Sequence, residues 1–208
     1  MPPKGMSATV TRLEISKNPL LESATVSYHQ IRATYGDESI VVYQAYNPTI
    51  ADAAIRAQTL DIPSFKQERM TWIKPSFRWM LYRSGWARKS NQERILGIHL
   101  TRTGFEQALK WSGTREQGAS VRVQWDPERD MEFRPLEWRS IQIGLSGEAV
   151  TNGLLNGWIL RIEDLTETVT KIGELVGLGQ LAAAEALMPS ERRYVFLEES
   201  ARIACHAD

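Results

Sequence analysis

The sequence predicts an α+β fold: a single domain with a mixed, mainly antiparallel sheet flanked by helices, and a helical C-terminus. Three observations carry this expectation. Short β-rich runs and amphipathic helical stretches follow one another in irregular order, hairpin-like pairs fall near the start and centre, and the last long stretch repeats Val, Ile, Leu and Ala at helical intervals. Residues 1–24 read as a polar, Pro-containing arm, 25–190 as the domain and 191–208 as a tail.

The elements follow in order. "HQIRATY" and "SIVVYQAY" are two β-rich runs joined by Gly36, Asp37 and Glu38, the form of a hairpin. "NPTIADAAIRAQTL" reads as a helix, with Asn47 as N-cap and Pro48 in the first turn. "MTWI" is a short strand. After the break at Pro75, "SFRWMLYRSGW" is a helix capped by Ser76 and ended by Gly85. "ERILGIHL" is a buried strand, "TGFEQALKWS" a short helix and "VRVQW" a strand ending in the turn "DPERD". "RSIQIGL" and "GWILRIEDL" are further apolar strands, and "TETVTKIGELVGLGQLAAAEALMP" is a helical hairpin or one helix interrupted near Gly177 and Gly179.

Composition narrows the function classes. Twenty-five basic residues balance twenty-five acidic ones, so any attraction to an anion must be local. Cys205 is the single cysteine, which excludes an internal disulfide framework and a multi-cysteine metal site. His29, His99 and His206 are scattered, so a zinc centre built on clustered histidines is not expected either. The sequence has no secretory h-region and no long apolar span, which predicts a cytoplasmic protein that does not enter a membrane.

The local charge lies between Phe65 and Arg94, where eight basic residues face two acidic ones among Phe65, Trp72, Phe77, Trp79, Tyr82 and Trp86. Arginine forks bind phosphate and stack on rings, and indole or phenol faces accept a base, so the mixture suits a nucleotide or a single-stranded nucleic acid. The same residues also fit a core helix with a solvated basic rim, and the sequence leaves both readings open. Lys74, ahead of Pro75 and Ser76, stands at the mouth of a helix where a phosphate could dock.

Further candidates lie on the strands. Tyr43, Gln44 and Tyr46 precede the first helix, with Gln44 and Tyr46 expected on one face and Tyr43 on the other. Arg32 on the preceding strand carries a charge that needs a partner. Trp125 and Asp126 lie at the proposed turn, Arg139 and Gln142 on the strand after it, and Arg83, Arg94, Glu93 and Glu137 complete the set.

The strings "IVVYQAYNPTIADAA", "RMTWIKPSFRWMLYRSGWA", "QERILGIHLTRTGFEQAL", "VRVQWDPERD" and "RSIQIGLSGEAV" resemble a family of small bacterial and fungal proteins catalogued as a domain of unknown function. "VYQAYNPTIADAAI" and "WIKPSFRWMLY" also resemble ADP-ribosyltransferase-like folds. That likeness implies NAD as cofactor and puts Ser76 and Tyr82 against nicotinamide. Gln44 stands where that group carries an NAD-gripping Arg or His, and Glu137 or Gln142 replaces its catalytic glutamate. The segment "IKPSFRWMLYRSGWARKSNQER" resembles, in turn, RNA-binding modules of the PUA and ASCH kind, although Gly85 is separated from Lys89 and Glu93 adjoins Arg94.

The resulting expectation is a nucleotide- or nucleic-acid-binding protein with a basic, aromatic cleft. As a transferase it would use Arg32, Lys74 and Arg83 on phosphates, Tyr82 or Trp79 on a ring, and Glu93 or Glu137 on the acceptor, with Tyr43, Tyr46, Trp72, Trp125, Arg94 and Arg139 lining the site. The alternatives are a non-catalytic RNA-binding module, or an interaction protein whose acidic C-terminal helices form a homodimer.

Overall fold

The computed structural model describes residues 26–114 and 118–208. The arm expected over residues 1–24 lies outside the described residues. Among the described residues, eight strands and six α-helices build an α+β domain: β1 (Arg32–Ala33), β2 (Ser39–Tyr46), α1 (Pro48–Ala57), β3 (Thr71–Ile73), α2 (Phe77–Ser84), β4 (Arg94–Thr101), α3 (Arg102–Lys110), β5 (Val121–Arg129), β6 (Pro135–Leu145), β7 (Ile159–Asp164), α4 (Thr166–Gly177), α5 (Leu181–Glu185), β8 (Arg192–Arg193) and α6 (Glu199–Ala204). A π-helix, Ala149–Trp158, links β6 to β7.

The helix signals in the sequence act as expected. Asn47 accepts from the Ile50 amide and Ser76 from the Trp79 amide, while Gly85 ends α2 in the left-handed region at φ 58°. Within the 166–185 stretch the chain breaks at Gly179, where φ is 72°.

Two three-stranded antiparallel sheets, ordered β2–β4–β7 and β3–β6–β5, form the frame. Their side chains share the main core, and their backbones are bridged between Tyr43 and Lys74. The Tyr43 amide donates to the Lys74 carbonyl at 2.7 Å and the Lys74 amide returns a bond to the Tyr43 carbonyl at 3.2 Å. The parallel component expected of a mixed sheet is confined to the isolated bridge between Ser112 and Val121.

The main core lies on one side of β2, where Ile40, Val42 and Tyr46 pack with Leu96, Ile98, Leu100, Phe105, Ile141 and Ile143. On its other side Val41, Tyr43 and Ala45 pack with Phe77, Met80 and Leu81 of α2 and Val169 and Ile172 of α4. A strand covered on both faces has no polar side, which is why "IVVY" reads as an unbroken apolar run. The apolar stripe of α4, expected as an oligomer face, is therefore largely used within the chain; Gly173 lies so close to Trp86 that a Cβ there would fall 2.9 Å from it.

Three expectations are corrected. The expected hairpin is limited to its turn: the Gly36 amide donates to the Ser39 carbonyl and the Val41 amide to the Thr34 carbonyl, both at 2.9 Å, around the single bridge Tyr35–Ile40, while β1 itself pairs with β8 from the far end of the chain. The run "DPERD" is not a turn, because β5 continues through Asp126 and Pro127 to Arg129, and the chain reverses over Asp130–Arg134. Pro127 is tolerated since β5 is an edge strand with a register break beside it.

The third correction concerns residues 191–208, which are not a loose tail. Tyr194, Ala201 and Cys205 are buried in the main core. The buried carboxylate of Glu106 on α3 accepts from the Tyr194 hydroxyl at 2.8 Å, the Leu197 amide at 2.7 Å and the Glu198 amide at 2.9 Å. Replacing Glu106 by Ala leaves these donors without their acceptor. We expect the Glu106→Ala variant to lose about 2–5 kcal/mol of stability, read by urea denaturation, with a matching rise in proteolysis of the C-terminal segment.

Candidate functional site

The register of β5, β6 and β3 sorts their side chains into two sets. Val121, Val123 and Trp125 pair with Leu145, Ile143 and Ile141 and face the core. The opposite face is polar. Arg122 pairs with Gly144, Gln124 with Gln142 and Asp126 with Ser140, while Trp72 of β3 pairs with Gly144 from the other side. Gly144 is required here, since a Cβ would meet Met70 Sδ at 2.7 Å and the Trp72 ring at 3.0 Å. The indole can thus lie across the sheet, half-exposed.

Lys74 follows β3 at the seam between the sheets and is 3% exposed. Its Nζ donates to Gln44 Oε1 at 3.2 Å and to the Trp72 carbonyl at 2.9 Å. Among the described residues no carboxylate lies within 4 Å of it. Burial, reinforced by the nearby Arg83 charge and opposed by Asp126, pushes the ammonium down to about 7. Asp126 is itself held by a hydrogen bond from Gln142 Nε2. Arg122 is half-buried on the same face and its Nε is buried without a partner.

The helix mouth beyond Lys74 is occupied by the chain's own groups. Glu191 Oε1 accepts from the Phe77 amide at 2.7 Å, and Ser76 Oγ accepts from the Trp79 amide. The phosphate site expected there is therefore filled by a carboxyl from the C-terminal segment. Burial drives Glu191 up to about 8 against the Phe77 N–H bond, with the neighbouring Glu128 adding to the rise. Glu128, buried and bonded to Ser76 and Ser140, is also raised, first by burial.

The other sequence candidates disperse. Arg94 is held between Asp52 and Asp164, Arg78 pairs with Glu185, and Arg83 is exposed at 3.4 Å from Gln92 Oε1. The basic segment is therefore not one surface, because a helix and its cap point successive cations in different directions. Arg32 donates to the Glu191 carbonyl at 2.9 Å and Arg139 to the Tyr28 hydroxyl at 2.7 Å. Tyr43 packs on Phe77, and the Tyr46 hydroxyl bonds Thr71 Oγ1 at 3.2 Å; burial pushes that phenol up to about 12. Trp125 faces the core, stacks on His29 and donates to the Cys205 carbonyl. Trp79 and Tyr82 lie on α2, tilted against one another at 5.1 Å.

Of the acids, Glu93 accepts from the Asn91 amide just before β4, and Glu137 is exposed toward the start of β6. Glu137 is five residues from Gln142, about 16 Å along the strand. Of the predicted set, Gln44, Trp72, Lys74 and Gln142 come together on this face with Asp126, and Arg83 lies near enough for its charge to act on Lys74. Arg122, Gln124 and Ser140 were legible from the alternation of "VRVQW" and "RSIQIGL", whereas Glu128 lies beyond Pro127 in a run that reads as a turn. Glu191 had no local signal, since its partner is more than a hundred residues away.

A family model for a domain of unknown function, DUF4291, matches residues 30–194. The chain belongs to this family. The match spans every strand of the polar face and the seam, and reaches Glu191. No curated protein and no solved structure matches. Among the described residues of this family member, no helix is long and apolar enough to cross a membrane.

The depressed Lys74 has a definite consequence for stability. Its folded value lies below the ordinary 10.5, so the folded state releases a proton that the unfolded chain retains between pH 7 and 10.5. The penalty is therefore largest below pH 7 and fades as pH rises toward 10.5. Lys74→Met removes it, and the variant's stability relative to the parent should be greater at pH 6.5 than at pH 9.5 by about 3 kcal/mol. Paired denaturant melts at the two pH values give the number; a difference independent of pH contradicts the assignment.

Proposed function

We propose that the polar face of β5–β6–β3 binds a nucleotide, gripping a phosphate with Lys74 and Arg122 and stacking a ring on Trp72. What supports this reading is an ammonium buried with no carboxylate among the described residues within 4 Å, on a half-exposed face that also carries an indole and an arginine with an unpartnered Nε. Burying an uncompensated cation costs stability, and a bound phosphate offsets that cost. Gln44, Asp126 and Gln142 supply the neutral and acidic acceptors and amide donors that a ribose or a base edge needs.

NAD is the nucleotide this reading favours, with other nucleotides and oligonucleotides as the comparison. If the site transfers ADP-ribose, the carboxyls on this face are Asp126, held by Gln142, and Glu128, rather than Glu93 or Glu137; Glu128 is the buried one. Burial holds the Glu128 carboxyl above the ordinary carboxylate range, the direction that favours a proton-transfer role.

The test is a thermal-shift panel of NAD, ATP, GTP and short single-stranded oligonucleotides. A ligand at about ten times its Kd should raise the Tm by roughly 3–5 °C. The shift should vanish in Lys74→Met, shrink in Trp72→Ala and persist in Glu137→Gln. It should weaken as pH rises through 7, because the ammonium that attracts the phosphate is then lost. A preference for oligonucleotides with steep salt dependence would assign the face to nucleic acid. No shift with any of them would refute the reading.

A further inference from the structure

On the flank of α2 beyond Glu128, two buried hydrogen-bond donors have no acceptor. Trp79 is 5% exposed and its indole Nε1 is unpartnered; the Nε of Arg129 is buried and unpartnered as well. Both belong to one cluster. The Arg129 guanidinium carbon lies 5.9 Å from the centre of the Trp79 ring and 4.2 Å from that of Tyr82, with Tyr82 and Trp86 closing on Phe133 at 5.5 and 4.5 Å.

A register break between Pro127 and Arg129 sets Arg129 opposite Pro135 at the end of the β5–β6 ladder. Its amide is bonded to Glu128 Oε1 and its Nη1 to the Phe133 carbonyl at 3.2 Å. The neighbouring Asp130 is taken up by Arg134. Among the described residues no carboxylate lies within 4 Å of the Arg129 guanidinium, and aromatic walls offer no strong acceptor. A buried donor left without an acceptor costs stability that a bound acceptor would restore.

We propose that Arg129 and Trp79 form a binding site for a small oxyanion, a carboxylate or a single phosphate group. One oxygen accepts from Trp79 Nε1–H and from Arg129 Nε–H, and the guanidinium supplies the countercharge. Tyr82, Trp86 and Phe133 are half-exposed and form the rim through which it enters. The site does not depend on the nucleotide reading, since neither Lys74 nor Trp72 takes part.

The test is a titration of the full chain, with nitrogen-15-labelled indoles, against sodium phosphate and separately sodium acetate at constant ionic strength. The Trp79 indole N–H resonance, assigned by its loss in Trp79→Phe, should move saturably with a millimolar-range Kd, about 4 kcal/mol of binding. Arg129→Met, which keeps contact with Tyr82, should weaken binding about tenfold or more. Lys74→Met should leave it unchanged, so failure here is distinct from failure of nucleotide binding. Calorimetry of Trp79→Phe, which keeps the packing but removes the donor, should show the same weakening. Response to one salt only would identify phosphate or carboxylate as the anion. A resonance unmoved by either, or moved equally in Arg129→Met, would overturn the proposal.

Discussion

Among the described residues the two three-stranded sheets are joined through one antiparallel backbone bridge, and the residue that makes it on one side, Lys74, brings a buried ammonium to the joint. The remaining architecture accommodates that fact. Tyr43 gives its backbone to the bridge and its ring to the α2 side of the sheet, while Gln44, one residue on, turns its amide to the lysine. Alternation along β2 thus assigns adjacent residues to packing and to polar contact.

The first turn of α2 completes the arrangement. Its free amides are met by Ser76 and by Glu191, so the C-terminal segment is held at a helix mouth as well as by Glu106 and the β1–β8 pairing. The carboxyls of Glu128 and Glu191 are enclosed near this helix start and both are driven upward by burial. A depressed lysine and two raised carboxyls lie around Pro75 and Ser76, which gives this end of α2 its chemical character.

Local signals in the sequence specified most of the fold. Caps at Asn47, Ser76 and Gly85 set helix ends because the hydrogen bonds that make them span three or four residues. Pairing between distant strands left no such mark: nothing in "RAT" points to Arg192, and nothing in "DPE" reveals that β5 runs on past its proline. The site was half legible. Lys74 and Gln44 stood out as polar groups in apolar company, but composition suggested one basic surface where the structure holds Arg94 with Asp52 and Asp164, and Arg78 with Glu185. Charge counted along a chain does not say which way each side chain points, and period-two alternation was the better guide.

The account depends on the Lys74 amine being enclosed, with Asp126 too distant to pair with it directly. Nuclear magnetic resonance of the protein with carbon-13 at lysine Cε, assigned through Lys74→Met, follows that amine directly as pH is varied. It should titrate near 7, apart from the other lysines, and move upward when a phosphate-bearing ligand binds. A midpoint near 10.5 in the free protein would mean that Lys74 is hydrated or paired, and would contradict the account.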